Sequence, residues 1–253
     1  ILFISIASSN KINMFIRKSR FTLAIAVSLT YLCCYPISVQ TQPSILVQNN
    51  LPDPQPKPLP PNRRTSGGTL SGSTSACQNN SNKVIALVPI ESDKSLTTST
   101  HPTFWFYIPL AAENIPIGRF SILTRDGKRR IYRTEFKPSK TPGIVSISLP
   151  SAPENALTEG EYYQWHLELY CQPNTDDAPD FDVNGWIKRV TPGTETQIWF
   201  DSLNRLAELR RSSPEDEKIK NDWLNLLKSV ELQDLVEKPI VGQVEIINNS
   251  TEN

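Results

Sequence analysis

Two histidines, one methionine and no surplus of charge leave this chain short of the side chains from which most metal, nucleic-acid and hydrolytic sites are built. A zinc centre needs three or four closely spaced Cys, His or carboxylate ligands. His101 and His166 lie 65 positions apart in sequence, beside only four cysteines. The 26 basic and 26 acidic residues cancel, so the basic footprint of a nucleic-acid-binding domain is missing. There is no Gly-x-Ser-x-Gly elbow, glycine-rich phosphate cradle, dinucleotide fingerprint or Cys-x-x-Cys pair. The longest apolar run falls short of the about twenty residues that a membrane-spanning helix requires.

That run belongs to an export pattern. Met14 is the single methionine, and residues 1–13 before it read as an over-extended reading frame. Arg17, Lys18 and Arg20 form a basic start, and Phe21 to Tyr35 form the apolar stretch, which Pro36 interrupts. Residues 14–41 therefore read as a signal peptide, with several permissive cuts between Ser38 and Ser44 and no Ala-x-Ala. An uncleaved anchor is the alternative, and would be the chain's one contact with the membrane. Lipidation at Cys33 or Cys34 is a third reading, against which the bulky Tyr31-Leu32 stands. The expected location is periplasmic or extracellular. After signal removal Cys77 and Cys171 remain, and in an oxidising compartment two cysteines read as one disulfide. Such a cross-link contributes up to about 4–5 kcal/mol in the chain-entropy model. Two separate thiols are the competing reading.

Twenty-one prolines against ten glycines is an unusual ratio, and much of the excess falls before residue 62. Residues 42–76 read as a linker: prolines from Pro52 to Pro61 favour extended polyproline II, and Thr65 to Ser75 is too polar to fold. Residues 77–192 have the texture of short strands between turns. The segments are Val84–Ile90, Thr103–Leu110, Arg119–Thr124, Arg129–Phe136, Gly143–Leu149, Glu161–Cys171 and Gly185–Val190. Asp126-Gly127 marks a hairpin in which both turn residues are expected at positive φ. Leu157, Gly160 and Tyr163 have the spacing of a tyrosine corner. The expected fold is mainly β, a seven-stranded immunoglobulin-like or fibronectin-like sandwich, with strand-central Trp105 and Trp165 between its sheets.

Residues 193–240 change to a helical period. Thr194 with Gln197 suggests a capping box for a helix over Thr194–Arg211. Ser213-Pro214 suggests the start of a second helix, Pro214–Val230. The apolar stripes of this hairpin predict packing on the sandwich or on a partner. Residues 241–253 read as a flexible tail.

The chain resembles a cyanobacterial family called domain of unknown function 928. The resemblance rests on Cys77, Leu87-Val88-Pro89, Pro102 to Tyr107, Gly143 to Ile147, Tyr163-x-Trp165, Cys171 and Gly185-Trp186-Ile187-x-Arg189. Ile198 to Leu203 and Trp223-x-x-Leu226-Leu227 extend it. The Arg-Gly that often precedes the family's first cysteine is replaced by Ser/Thr-rich sequence. The resemblance implies no activity.

Few residues offer themselves for chemistry. His166 and Glu168 share a strand face, adequate for a base and its orienter, but no nucleophile is marked for them. The loop of Asn174, Asp176, Asp177, Asp180 and Asp182 carries oxygen ligands suited to weak calcium binding, without the EF-hand glycine or terminal glutamate. Trp186 is the one tryptophan that no core stripe explains. The expected role is a non-enzymatic interaction module of the cell envelope, without a cofactor, whose helical hairpin docks a protein partner. A glycan- or calcium-binding domain using Trp186 and the acidic loop is the alternative, and a hydrolase with an unrecognised site is the third.

Overall fold

A computed structural model describes residues 57–67, 83–172, 178–193 and 198–247, all within one compact unit, Gln55–Asn253. The signal segment and Cys77 lie outside the described residues. The described residues form ten strands: β1 (Ile85–Ala86), β2 (Leu96–Thr97), β3 (Thr103–Ile108), β4 (Ile117–Thr124), β5 (Arg130–Lys137), β6 (Gly143–Ser148), β7 (Tyr162–Tyr170), β8 (Phe181–Arg189), β9 (Ile240–Gln243) and β10 (Glu245–Ile247). Two helices, α1 (Trp199–Ser212) and α2 (Glu217–Lys228), lie between β8 and β9.

The strands make a four-stranded sheet, β1-β3-β6-β9, and a six-stranded sheet, β10-β5-β4-β7-β8-β2. This differs from the expected seven-stranded immunoglobulin-like arrangement. β2 and β9 pair parallel with β8 and β6, whereas the sheets of that fold are antiparallel. β2, β9 and β10 are two to four residues long, too short for alternation to register in sequence. The stretch 241–253, read as a flexible tail, supplies most of β9 and all of β10 instead.

Alternation decides which side chains meet between the sheets. Phe104 and Phe106 of β3 contact Phe120 of β4 at 5.0 and 6.0 Å, and Phe106 contacts Trp165 of β7 at 5.8 Å. Trp165 thus sits between the sheets. Trp105, one residue out of phase with Phe104 and Phe106, turns to the opposite face and donates its indole N–H to Asn204 Oδ1 of α1 at 3.2 Å. The helices explain why that face is apolar too. Trp199, Phe200, Leu203, Leu206 and Ala207 of α1 and Trp223, Leu226 and Leu227 of α2 are buried. Their stripes belong to the single hydrophobic core, so the hairpin's apolar face is not a free docking surface.

Local signals are realised unevenly. The Tyr163 hydroxyl accepts from the Thr158 backbone N–H at 2.8 Å, the tie that the corner spacing suggested. At the β4–β5 turn only Gly127 has positive φ, +70°, and Asp126 does not. A Gly127 N–H to Thr124 O bond of 2.8 Å closes a tighter turn inside the five-residue connection 125–129, and β4 carries a register shift between Ile122 and Leu123. The second helix starts later than Ser213-Pro214 implied, because Asp216 is the residue whose carboxylate accepts from Ile219 N–H. α1 begins at Trp199 with no side-chain cap, and Thr194 and Gln197 lie outside the described residues.

The described part of the expected linker, residues 57–67, is a strap bound to the edge of both sheets. Arg63 pairs with Asn184 of β8, and Thr65 pairs with Ile85 of β1. Proline-rich sequence correctly implied an extended chain. It did not reveal that the extended chain finds two open strand edges to pair with.

Candidate functional site

The outer face of the six-stranded sheet carries the polar residues singled out from sequence. Along β7, Tyr162, Gln164, His166 and Glu168 are half-buried, while Tyr163, Trp165, Leu167 and Leu169 are buried. Register sets their neighbours: His166 lies opposite Ser121 of β4 and Asn184 of β8, and Glu168 lies opposite Arg119 and Asp182. Burial lowers the His166 pKa, against the opposing pull of the Asp182 and Glu168 charges. Among the described residues no hydrogen bond joins the Ser121 hydroxyl to His166. The juxtaposition does not have the nucleophile–base contact of an activated serine.

Beside it lies a tight ionic cluster. Arg119 donates to the Tyr170 hydroxyl at 2.7 Å, and lies 3.4 Å from Glu135 and 3.5 Å from Glu168. Tyr170 in turn donates to Glu168 at 3.1 Å. Desolvation and then the Glu168 charge push the Tyr170 phenol up to about 12. These groups pair with one another across β4, β5 and β7, and the cluster reads as a cross-strand staple.

The acidic loop is divided. Asn174, Asp176 and Asp177 lie outside the described residues. The Asp180 carboxylate accepts from Cys171 N–H at 2.7 Å, and Asp182 is paired with Arg63 at 3.1 Å. Among the described residues no group of three or more His, Cys, Asp or Glu is placed to hold a metal ion. Trp186 is buried at 8% exposure. Its backbone N–H donates to Asn62 and its carbonyl accepts from the Trp165 indole, so its ring is not an exposed platform.

A concave part of the surface lies around Tyr162, the first residue of β7. Two clefts of about 460 and 580 Å³ share Tyr162 and Asp93. The first is walled by Lys57, Pro58, Leu59 and Pro61 of the strap, by Glu91 and by Arg125 at the hairpin tip. The second opens toward Lys94, Lys188, Trp199 and Val230. Arg125 stands 5.5 Å and Lys188 5.0 Å from the centre of the Tyr162 ring. Stacking of this kind orients a cation without neutralising it. Four cations face two carboxylates here, and one carboxylate, Glu91, is already paired with Lys94 at 3.0 Å. In a chain without net charge the clefts are locally basic. No sequence motif signals this site, because its residues come from the strap, a loop, a hairpin tip and two strands.

The family model described as Domain of Unknown Function (DUF928) matches residues 65–240, and the chain belongs to that family. No curated protein matches the chain. The family match begins within the strap at Thr65 and ends at the first residue of β9. Asn62, Arg63, Arg64 and all of β10 lie outside it.

Proposed function

Because the chain belongs to a family whose description carries no function, we propose a role from its own surfaces: an exported, non-enzymatic binding module of a cyanobacterial envelope. It takes an acidic segment of a protein partner in the twin clefts around Tyr162 and needs no cofactor. The observation that carries this reading is Tyr162 flanked by Arg125 and Lys188 where the clefts meet. Arg125 donates from one terminal nitrogen to the Lys57 carbonyl at 2.9 Å, which together with the Tyr162 face holds the guanidinium in place and leaves its other donors to meet a carboxylate at little further cost in side-chain entropy. The C-terminal helices serve the core.

The test is capture of cross-linked partners from envelope extracts by the full-length chain and by the double variant Arg125→Glu/Lys188→Glu. Both cations are half-buried and stand at the surface, so the variant should melt like the parent. Capture should fall sharply in the variant and with added salt. Equal capture by a folded variant would end the proposal. Titration calorimetry with calcium and a glycan array address the alternative: calcium heat lost on changing Asp180 and Asp182 would favour the acidic loop. Hydrolysis lost on changing His166 would favour an enzyme.

Export and the Cys77–Cys171 disulfide are part of the same proposal. Support comes from the basic-then-apolar start of the chain and from Cys171, which packs against the core at the end of β7. A non-reducing mass of the mature protein should be two hydrogens below the reduced value, and an unchanged mass would exclude the cross-link.

A further inference from the structure

The strap is held the way a recognised peptide is held. Four backbone hydrogen bonds run along it: Asn62 N–H to Ile90 O, Ser66 N–H to Val84 O, Ala86 N–H to Arg64 O and Asn184 N–H to Arg63 O, at 2.7–3.1 Å. Main-chain pairing along an open sheet edge supplies affinity in peptide recognition by β-augmentation, and a side-chain pocket supplies specificity. Here the pocket belongs to Asn62. Its amide donates to Pro89 O and Ser95 Oγ, both at 2.8 Å, and its carbonyl oxygen accepts from Trp186 N–H at 2.8 Å. Donor and acceptor are both read, which selects an amide over a carboxylate or an alkyl group. The pocket exists because residue 185 is glycine. A Cβ there would stand 2.4 Å from Asn62 Oδ1 and 2.6 Å from the Trp165 ring. Arg64 extends the reading to Val88 O and to Val230 O, just past the end of α2.

In sequence, fifteen residues separate the strap from the body it fills. Residues 68–82 separate it from Lys83 and are rich in Gly, Ser, Thr and Asn. Fifteen residues span up to about 50 Å, and the nine that precede the proposed cross-link at Cys77 span up to about 30 Å. Asn62 and its two arginine neighbours precede the family match, so the anchor is an addition to the matched region.

We propose that the groove between the β1 and β8 edges is a peptide-binding site that reads an Asn-Arg-Arg segment. The chain's own strap is its exchangeable occupant, and the strap of a second copy of this chain is the partner it fits. A tethered occupant is present at an effective concentration on the order of millimolar, so the groove is filled from within until the strap is weakened or outcompeted. The strap walls one side of the first Tyr162 cleft, but the inference rests on the Asn62 pairing, and its test reads the Asn62 side chain rather than the cations of the clefts.

A fluorescent peptide spanning Lys57 to Gly67 stands for the second copy's strap and is titrated into the full-length chain carrying Asn62→Ala. It should bind that variant at least about tenfold more tightly than the wild-type chain, whose groove is occupied. The same peptide carrying Asn62→Ala should bind the variant at least about tenfold more weakly, the loss of about one charge-neutral buried hydrogen-bond set. Adding Gly185→Ala to the receptor should abolish binding. If Asn62→Ala alone prevents folding, the wild-type peptide added during refolding should restore a cooperative melt. Absence of binding to a folded variant, equal binding of the two peptides, or failure of the peptide to restore folding would each overturn the proposal.

Discussion

Replacing Asn62 with alanine removes three hydrogen bonds from a site that is 6% exposed. Each such bond contributes a net of about 0.5–1.5 kcal/mol, and a buried donor left without a partner costs about 1–3 kcal/mol. Trp186 N–H would be left that way. The Pro89 carbonyl and the Ser95 hydroxyl are buried as well, and each loses one partner. The expected loss is therefore about 2–4 kcal/mol. For a folded region of this size, 1 kcal/mol moves the melting temperature by about 2–4 °C, so Asn62→Ala should melt roughly 4–16 °C lower. Arg63→Ala is the control one residue away. Its ion pair with Asp182 is exposed on the arginine side, and such pairs contribute about 0–1 kcal/mol. Thermal melts by near-ultraviolet circular dichroism compare the two. If both variants melt within about 1 °C of the parent, residues 57–67 are a spacer and the strap reasoning fails.

Glu231 follows α2 at φ 60°, where Leu232 N–H to Leu227 O and Glu231 N–H to Lys228 O complete a Schellman cap. Glu231→Gly should therefore raise stability by about 0.5–1 kcal/mol in denaturant titration, and a loss would contradict the strain argument. Tyr163→Phe removes the acceptor of Thr158 N–H and should cost about 1 kcal/mol by the same assay. For His166 the folded-state pKa is lowered, so the unfolded chain takes up the proton first. Stability from this group is present above the ordinary value of about 6.5 and falls as pH drops below it. His166→Gln should flatten the pH dependence of stability below that point, and an unchanged slope would refute the burial argument. Tyr170, at about 12, should ionise last in an ultraviolet titration of the folded protein, and Tyr170→Phe should remove that final step.

Several elements were legible from local chemistry alone. The alternation of Tyr163, Trp165, Leu167 and Leu169 defined a half-buried strand, and the spacing to Leu157 anticipated the Tyr163 tie, because both depend on residues adjacent in the chain. The stripes of Trp199, Leu203 and Leu206, and of Trp223, Leu226 and Leu227, marked two helices for the same reason. Signals competing over a few residues were read less well: Ser213 and Asp216 both suit an N-cap, and the backbone uses Asp216.

What only the tertiary structure decided was pairing over distance. Three short strands take their places because open edges of β5, β6 and β8 are available to them, not because their own side chains alternate. Asn62 acquires its role from Gly185, more than a hundred residues away, and Tyr162 gains its cations from a hairpin tip and a neighbouring strand. Composition alone determined that this chain carries no net charge and few metal ligands, and that a proline-rich segment runs extended into a β-rich domain. Whether that segment hangs free or is gripped depends on hydrogen-bonding edges and a side-chain notch, which exist only once the two sheets have closed on each other.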